Sequence, residues 1–170
     1  MSDAILKGCL MADLEDSAGF AVRGWASDNI DHADLAGDGF ETNPHVTVLW
    51  GFAEDTPVKD LEEFLSQFKR IDIKLGCVSF FTTNPDYDVV KIDVISPDLV
   101  SLNSALKSQF PSCVQEVHVE YNPHLTLAFV KKGACRHIDG HARFEGSLFR
   151  MKSLVYSWPE SAKKLEIELG

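Results

Sequence analysis

The hexapeptide Asn43-Pro44-His45-Val46-Thr47-Val48 recurs in register as Asn122-Pro123-His124-Leu125-Thr126-Leu127. Four positions are identical and the other two exchange one branched apolar residue for another. A repeat of this kind means two copies of one supersecondary unit in a single chain, and no other feature constrains the fold as much. In each copy a strand leads into a helix, ending near Ile30 and near Phe110, and a loop leads into the His-x-Thr strand. Alternate side chains of a strand point to opposite faces. His45 and Thr47 then share one face while Val46, Val48 and Trp50 share the other. His124 and Thr126 likewise oppose Leu125, Leu127 and Phe129. Each strand has an oily face for helix packing and a polar face that sets an imidazole beside a hydroxyl. A two-fold arrangement of the halves brings both polar faces to one cleft.

The rest of the chain supplies strands and helices around the repeat. Ile5–Leu14 is strand-like, and a helix stripe of Phe20, Ala21, Trp25 and Ala26 follows it. Asp31–Pro44 reads as a polar loop. Thr56-Pro57 opens a helix with threonine as N-cap and proline at the first helical position; Val58, Leu61, Phe64, Leu65 and Phe68 line its apolar face. Ile71–Phe81 and Val89–Ile95 flank the turn Thr83-Asn84-Pro85-Asp86 as an antiparallel pair. Ser96-Pro97-Asp98 caps a helix marked by Leu99, Leu102, Leu106 and Phe110. Strands follow near 114–121 and 124–130, and residues 144–169 hold two or three more. With 170 residues and no Pro-, Gly- or Ser-rich linker, residues 1–170 read as a single domain of two pseudo-symmetric lobes.

Charge narrows the partners. Against 16 Lys+Arg stand 26 Asp+Glu, a formal net charge of -10. Long nucleic acid is held mainly by Lys and Arg that displace counterions, so a body this acidic is no avid binder of duplex DNA or long RNA. A short phosphate ligand in an enclosed site remains compatible with it. Four scattered cysteines (Cys9, Cys77, Cys113, Cys135) include no CxxC pair. No secretory pattern and no run of about 18 apolar residues is present, so a cytoplasmic protein without membrane attachment is expected.

Two imidazoles and two hydroxyls in one cleft suit phosphoester chemistry without a metal or other cofactor. The unperturbed imidazole pKa of about 6.5 lets one histidine be neutral and the other protonated near neutral pH. The neutral one takes a proton from the attacking oxygen, either water or a ribose 2′-OH; the protonated one gives a proton to the departing oxygen. The threonine hydroxyls donate to non-bridging phosphoryl oxygens. Sequence alone leaves open which histidine is base and which is acid.

These motifs resemble the 2H phosphoesterases, named for two His-x-Thr/Ser motifs in a duplicated fold. The resemblance covers the first strand, both motifs with the helix before each, and the final strands. It implies an α+β architecture, a bilobal duplicated fold with two antiparallel sheets flanking a central cleft and helices outside. It implies metal-independent cleavage of phosphodiester or cyclic phosphate bonds, with His45 and His124 as the catalytic pair and Thr47 and Thr126 as phosphate ligands. The stretches Gly8-Cys9-Leu10-Met11, 45–52 and 122–128 look most like phage-encoded members, among them the anti-CBASS nucleases that destroy cyclic di- and trinucleotide signals. That likeness implies a small cyclic oligonucleotide as substrate and a C-terminal aromatic closing over it, for which Trp158 is the candidate. Tyr121, next to the second motif, is a further candidate for contact with substrate.

Other readings compete. An RNA 2′,3′-cyclic phosphodiesterase uses the same four residues but needs a basic apron, for which Lys131, Lys132, Arg136, Arg143 and Arg150 are the candidates. A non-catalytic cyclic-nucleotide binding module has no need of the proton-transfer pair. Cys135, His137 and His141 have zinc-like spacing without a fourth ligand. Asp31, Asp34, Asp38 and Glu41 lack the grammar of a calcium loop. His118 reads as a surface strand position.

Overall fold

The computed structural model describes residues 7–111, 120–159 and 162–170. Its strands are β1 (Gly8–Asp13), β2 (Leu35–Phe40), β3 (His45–Phe52), β4 (Ile71–Phe81), β5 (Tyr87–Ile95), β6 (His124–Lys131), β7 (Leu148–Met151), β8 (Ser153–Ser157) and β9 (Lys164–Glu168). Three α-helices intervene: α1 (Asp16–Asn29), α2 (Val58–Leu65) and α3 (Pro97–Gln109). The strands form one antiparallel sheet in the order β7-β4-β5-β6-β3-β1-β8-β9, with β2 beside β6. Each His-x-Thr strand thus begins its own run of four, β3-β1-β8-β9 and β6-β5-β4-β7. The expected pair of sheets is therefore one sheet: the halves meet where β3 and β6 start side by side, through the pair Val46–Leu125.

The core lies on the face away from the polar row. Leu10, Ala12, Val46, Val48, Ile92, Leu125 and Leu127 are all but fully buried there. Helices cover this face crosswise: α3 packs on β3 and β4, and α1 on β6. Ser96 caps α3 as expected, its hydroxyl accepting from the Leu99 amide at 3.2 Å. Among the described residues no helix is long and apolar enough to cross a membrane.

Several local expectations need correcting. The buried stripe of α1 is Gly19, Val22 and Ala26, while Phe20 points outward, 71% exposed; the helix is rotated so that its small residues let it lie close to β6. Thr56 does not cap α2: its hydroxyl turns back to the Ala53 carbonyl at 2.6 Å, and the helix starts at Val58 after Pro57. The polar stretch 31–44 is not all loop. Leu35 pairs with Val130 and Phe40 with Ala128, and the residues between arch away through Gly37 (φ 54°) and Gly39 (φ 72°). Most of the strand expected at 114–121 lies outside the described residues, as do Cys113 and His118.

Candidate active site

The pair Val46–Leu125 fixes the relation of the two motifs. With antiparallel strands in that register, Thr47 lies across from His124 and His45 across from Thr126. All four face the side opposite Val46 and Leu125, so two imidazoles and two hydroxyls form one block on the open face of the sheet.

The Asn-Pro half of the repeat sets the imidazoles. Proline confines the residue before it to extended backbone, which turns the asparagine carbonyl toward the histidine two positions on. His45 Nδ1 lies 2.8 Å from the Asn43 carbonyl and His124 Nδ1 lies 2.7 Å from the Asn122 carbonyl. A carbonyl only accepts, so each Nδ1 carries hydrogen and each Nε2 is the atom left for chemistry. Burial pushes the His124 pKa below its ordinary value; the charges of Lys91 and His45 act the same way, and the Asn122 carbonyl and Asp93 oppose them.

Immediately after each motif the strand bulges. In β1 the pairing passes from Leu10–Leu49 to Met11–Thr47, leaving Val48 as an extra residue. In β5 it passes from Val90–Ala128 to Lys91–Thr126, leaving Leu127. The carbonyls of both extra residues find partners off the main ladder: Asn103 Nδ2 of α3 donates to Val48 at 2.8 Å, and the Glu41 amide to Leu127 at 2.9 Å. A bulge shifts every later side chain to the other face. Trp50 and Phe129, expected on the oily face, are therefore on the side of the histidines, and Trp50 is 40% exposed.

That shift builds a cavity of about 580 Å³ whose wall includes Thr47, Trp50, Phe81, Tyr87, Tyr121 and His124. Tyr121 donates its hydroxyl to the Thr47 carbonyl at 2.8 Å. Burial raises its phenol, so it stays neutral. Cys9, paired with Trp50, is pushed up to about 11 by burial and is a thiol rather than a nucleophile. Trp158 stands elsewhere. It packs edge-on to Tyr156 at 5.0 Å, with the Lys163 ammonium 4.2 Å from its ring centre, and it does not line this cavity.

Two residues not singled out in the sequence, Lys91 and Asp93, act on His124, and Ser79 ties them together. Lys91, only 7% exposed, bonds Asp93 and the Ser79 hydroxyl, the latter at 2.6 Å, and Ser79 donates to Asp93 at 2.7 Å. Burial works to raise the Asp93 carboxyl, but the hydrogen bonds from Lys91 and Ser79 with the charges of Lys91 and His124 hold it low. The signal was a charged pair two apart in the otherwise apolar run Val89–Ile95.

Two of the zinc-spaced residues are engaged otherwise: Cys135 Sγ meets Asp34 at 3.6 Å, and the His141 ring lies tilted against Trp25 at 5.0 Å. No group of three or more His, Cys, Asp or Glu among the described residues is placed to hold a metal ion.

Comparison with known proteins puts these features in a family. The family described as the 2′-5′ RNA ligase superfamily matches residues 23–162, a span that takes in both His-x-Thr motifs. The chain belongs to the 2′-5′ RNA ligase superfamily. Members of this superfamily are 2H phosphoesterases, and the chain is an enzyme of their phosphodiesterase type. The fold agrees. E. coli LigT complexed with 3′-AMP superposes with a TM-score of 0.67 at 16% identity, over 97% of this chain and 95% of that one. TT0787 of Thermus thermophilus gives 0.67 at 11%, over 95% and 98%. Kluyveromyces marxianus Usb1 gives 0.62 at 11%, over 97% and 99%. No curated protein matches the chain.

Proposed function

We propose that this superfamily member opens a 3′,5′ phosphodiester bond of a small cyclic oligonucleotide, without metal, using His45 and His124 as proton-transfer groups and Thr47 and Thr126 as phosphate ligands. The observation that carries the reading is the Val46–Leu125 register, which sets each histidine across from the other motif's threonine with both Nδ1 atoms bonded to carbonyls. A phosphoryl group over this block meets two Nε2 atoms and two hydroxyl donors. One imidazole removes the proton from the attacking oxygen as that oxygen bonds to phosphorus; the other protonates the ribose oxygen as its bond to phosphorus breaks. Attack by the adjacent 2′-OH passes through a 2′,3′-cyclic phosphate, and attack by water opens the ring directly.

The substrate class rests on the cavity and on charge. About 580 Å³ with Trp50, Phe81 and Tyr121 in its wall suits a base held by stacking. An RNA-end phosphodiesterase, the second reading, has structural neighbours in its favour: LigT is seen with 3′-AMP and Usb1 with uridine monophosphate. Against it, four of the five cations offered as an RNA apron are engaged within the protein, Arg143 being the exception. Lys132 and Arg136 pair with buried Asp88 at 2.7 and 2.5 Å, Arg150 with Asp72 at 2.8 Å, and Lys131 donates to the Ala33 carbonyl at 2.6 Å. Destruction of cyclic di- or trinucleotide alarm signals in the cytoplasm, the anti-CBASS role, follows from this substrate class and from the likeness of the motifs.

The test is turnover in EDTA of cyclic dinucleotides, cyclic trinucleotides and short RNAs ending in 2′,3′-cyclic phosphate, with His45→Ala and His124→Ala beside the wild type. Cleavage of the cyclic substrates that both variants lose is the expected result. Preference for the RNA ends moves the protein to RNA processing, and tight binding without any cleavage makes it a sequestering module.

A further inference from the structure

Aligned by strand register, the two halves match beyond the hexapeptide. In β1, Met11 pairs with Thr47 and Asp13 with His45; in β5, Lys91 pairs with Thr126 and Asp93 with His124. Because both ladders shift at the same step, Leu10-Met11-Ala12-Asp13 corresponds position by position to Val90-Lys91-Ile92-Asp93. Each histidine faces an aspartate and each threonine a long, unbranched side chain. The next strand out departs in the same row: Val155 of β8 flanks Met11, whereas Ser79 of β4 flanks Lys91. One half offers a thioether and an isopropyl group there, the other an ammonium and a hydroxyl.

The charges around the two imidazoles differ accordingly. Asp93 is matched by Lys91, whose Nζ also lies 4.5 Å from the centre of the Phe81 ring, and that ring stands edge-on to His124 at 4.7 Å. Asp13 has methionine where that ammonium would be, and its buried Oδ1 accepts no hydrogen bond among the described residues.

We propose that the Lys91/Met11 difference gives this near-two-fold site its polarity, making His124 the neutral imidazole that deprotonates the attacking oxygen and His45 the imidazolium that protonates the leaving oxygen. The inference rests on the phosphodiesterase reading of the same block. A cation beside an imidazole disfavours a second positive charge on it. The charged groups that act on His124 are Lys91 and Asp93 from β5 and His45 from β3, and from β4 the Phe81 ring stands against it, while Cys77 and Ser79 of β4 lie near Asp93. Burial and the nearby carboxylates of Glu145 and Asp93 keep the Cys77 thiol protonated. Burial is the largest cause that lowers the His124 pKa and the Lys91 charge adds to it, the direction this assignment needs. In the step, His124 Nε2 gains the proton of the 2′-OH or water as the new P–O bond forms. The old P–O bond breaks, its oxygen takes the proton from His45 Nε2, and the pair returns the proton through solvent after release. Lys91 acts through His124 and is a positioning residue.

Lys91→Met copies the other half's side chain, so the fold has a precedent for it; Lys91→Arg keeps the charge. Proton NMR titration of the two imidazoles, assigned with His45→Ala and His124→Ala, reads the effect without substrate. The methionine variant removes the cation and frees Asp93, both of which raise the His124 pKa, so it should rise by about one unit. The acidic limb of kcat/KM moves up in pH by the same amount, and Lys91→Arg leaves both near wild type. Asp93→Asn should move His124 the other way. A His124 pKa unmoved by Lys91→Met, or a larger shift at His45, overturns the assignment even if the enzyme is active. A wild type that cleaves nothing defeats the phosphodiesterase reading while leaving the titration legible.

Discussion

Replacing Asn103 by leucine removes the side-chain donor that, among the described residues, serves the carbonyl of the bulged residue Val48. Asn103 is 3% exposed and its Nδ2 lies 2.8 Å from that oxygen, while leucine has nearly the same volume and no donor. A buried carbonyl left unsatisfied costs about 1–3 kcal/mol. The Val48 carbonyl projects from a bulge without a ladder partner, and α3 shields it from water, so about 2 kcal/mol is expected. At a urea m-value of about 2 kcal/mol/M, that is a midpoint lowered by about 1 M with the slope unchanged. The bulge separates Thr47 from Trp50, so relaxation toward regular pairing turns Trp50 inward and out of the wall it shares with Leu49 and Asn103. KM therefore rises by a larger factor than kcat falls, because His45 and Thr47 precede the bulge. Equilibrium urea unfolding and steady-state kinetics on one preparation measure both. A midpoint within about 0.2 M of wild type would refute the claim that α3 holds the bulge, and a fall in kcat at constant KM would refute its link to the cavity.

Asp88 is fully buried and accepts from Lys132, Arg136 and the Gly133 amide. Asp88→Asn should cost about 3 kcal/mol, the low end for a broken buried pair, since both cations can still turn toward water. Burial works to raise this carboxyl, but those bonds and charges hold it low; its stabilisation is therefore complete above the unfolded pKa of about 3.9 and lost as pH falls below it. Urea midpoints from pH 7 to pH 3 should fall less for Asp88→Asn than for wild type. Trp50→Ala should raise KM about tenfold, from a stacking contribution of about 1–3 kcal/mol, whereas Trp158→Ala leaves KM within about twofold; the reverse order in a KM comparison places the base at Trp158. Thr126→Val should lower kcat by about tenfold or more with KM little changed if its hydroxyl meets charge that develops in the transition state, and a KM effect alone defeats that role.

The residues that carry the motif were legible because His45–Phe52 and His124–Lys131 are strands that start on their histidines and bring a repeat visible by eye. The helix caps were legible only where a proline and a hydroxyl left one option, as at Ser96; at Thr56 the hydroxyl had a nearer carbonyl. What escaped depended on neighbours far along the chain. After Thr47 the run Val48-Leu49-Trp50 is apolar throughout and carries no mark of a bulge, so only the cross-strand register reveals that Val48 is extra. Strand β2 was hidden because Gly37 and Gly39 read as loop, although Leu35 and Phe40 anchor its ends. Lys91 and Asp93 carried no mark in the run Val89–Ile95 that tied them to the site, and only the cross-strand pair Asp93–His124 does so.

The group that aims each imidazole is a main-chain carbonyl, not an acidic side chain. No substitution at Asn43 or Asn122 deletes it, so the orientation of the two histidines is largely sheltered from mutation. A lineage under pressure to vary its substrate can rebuild Trp50, Phe81, Tyr87 and the loops around them while the aim of both rings stays put. The prolines that shape those carbonyls, the histidines and the threonines are where the chemistry is exposed to loss, and all three recur in both copies of the repeat.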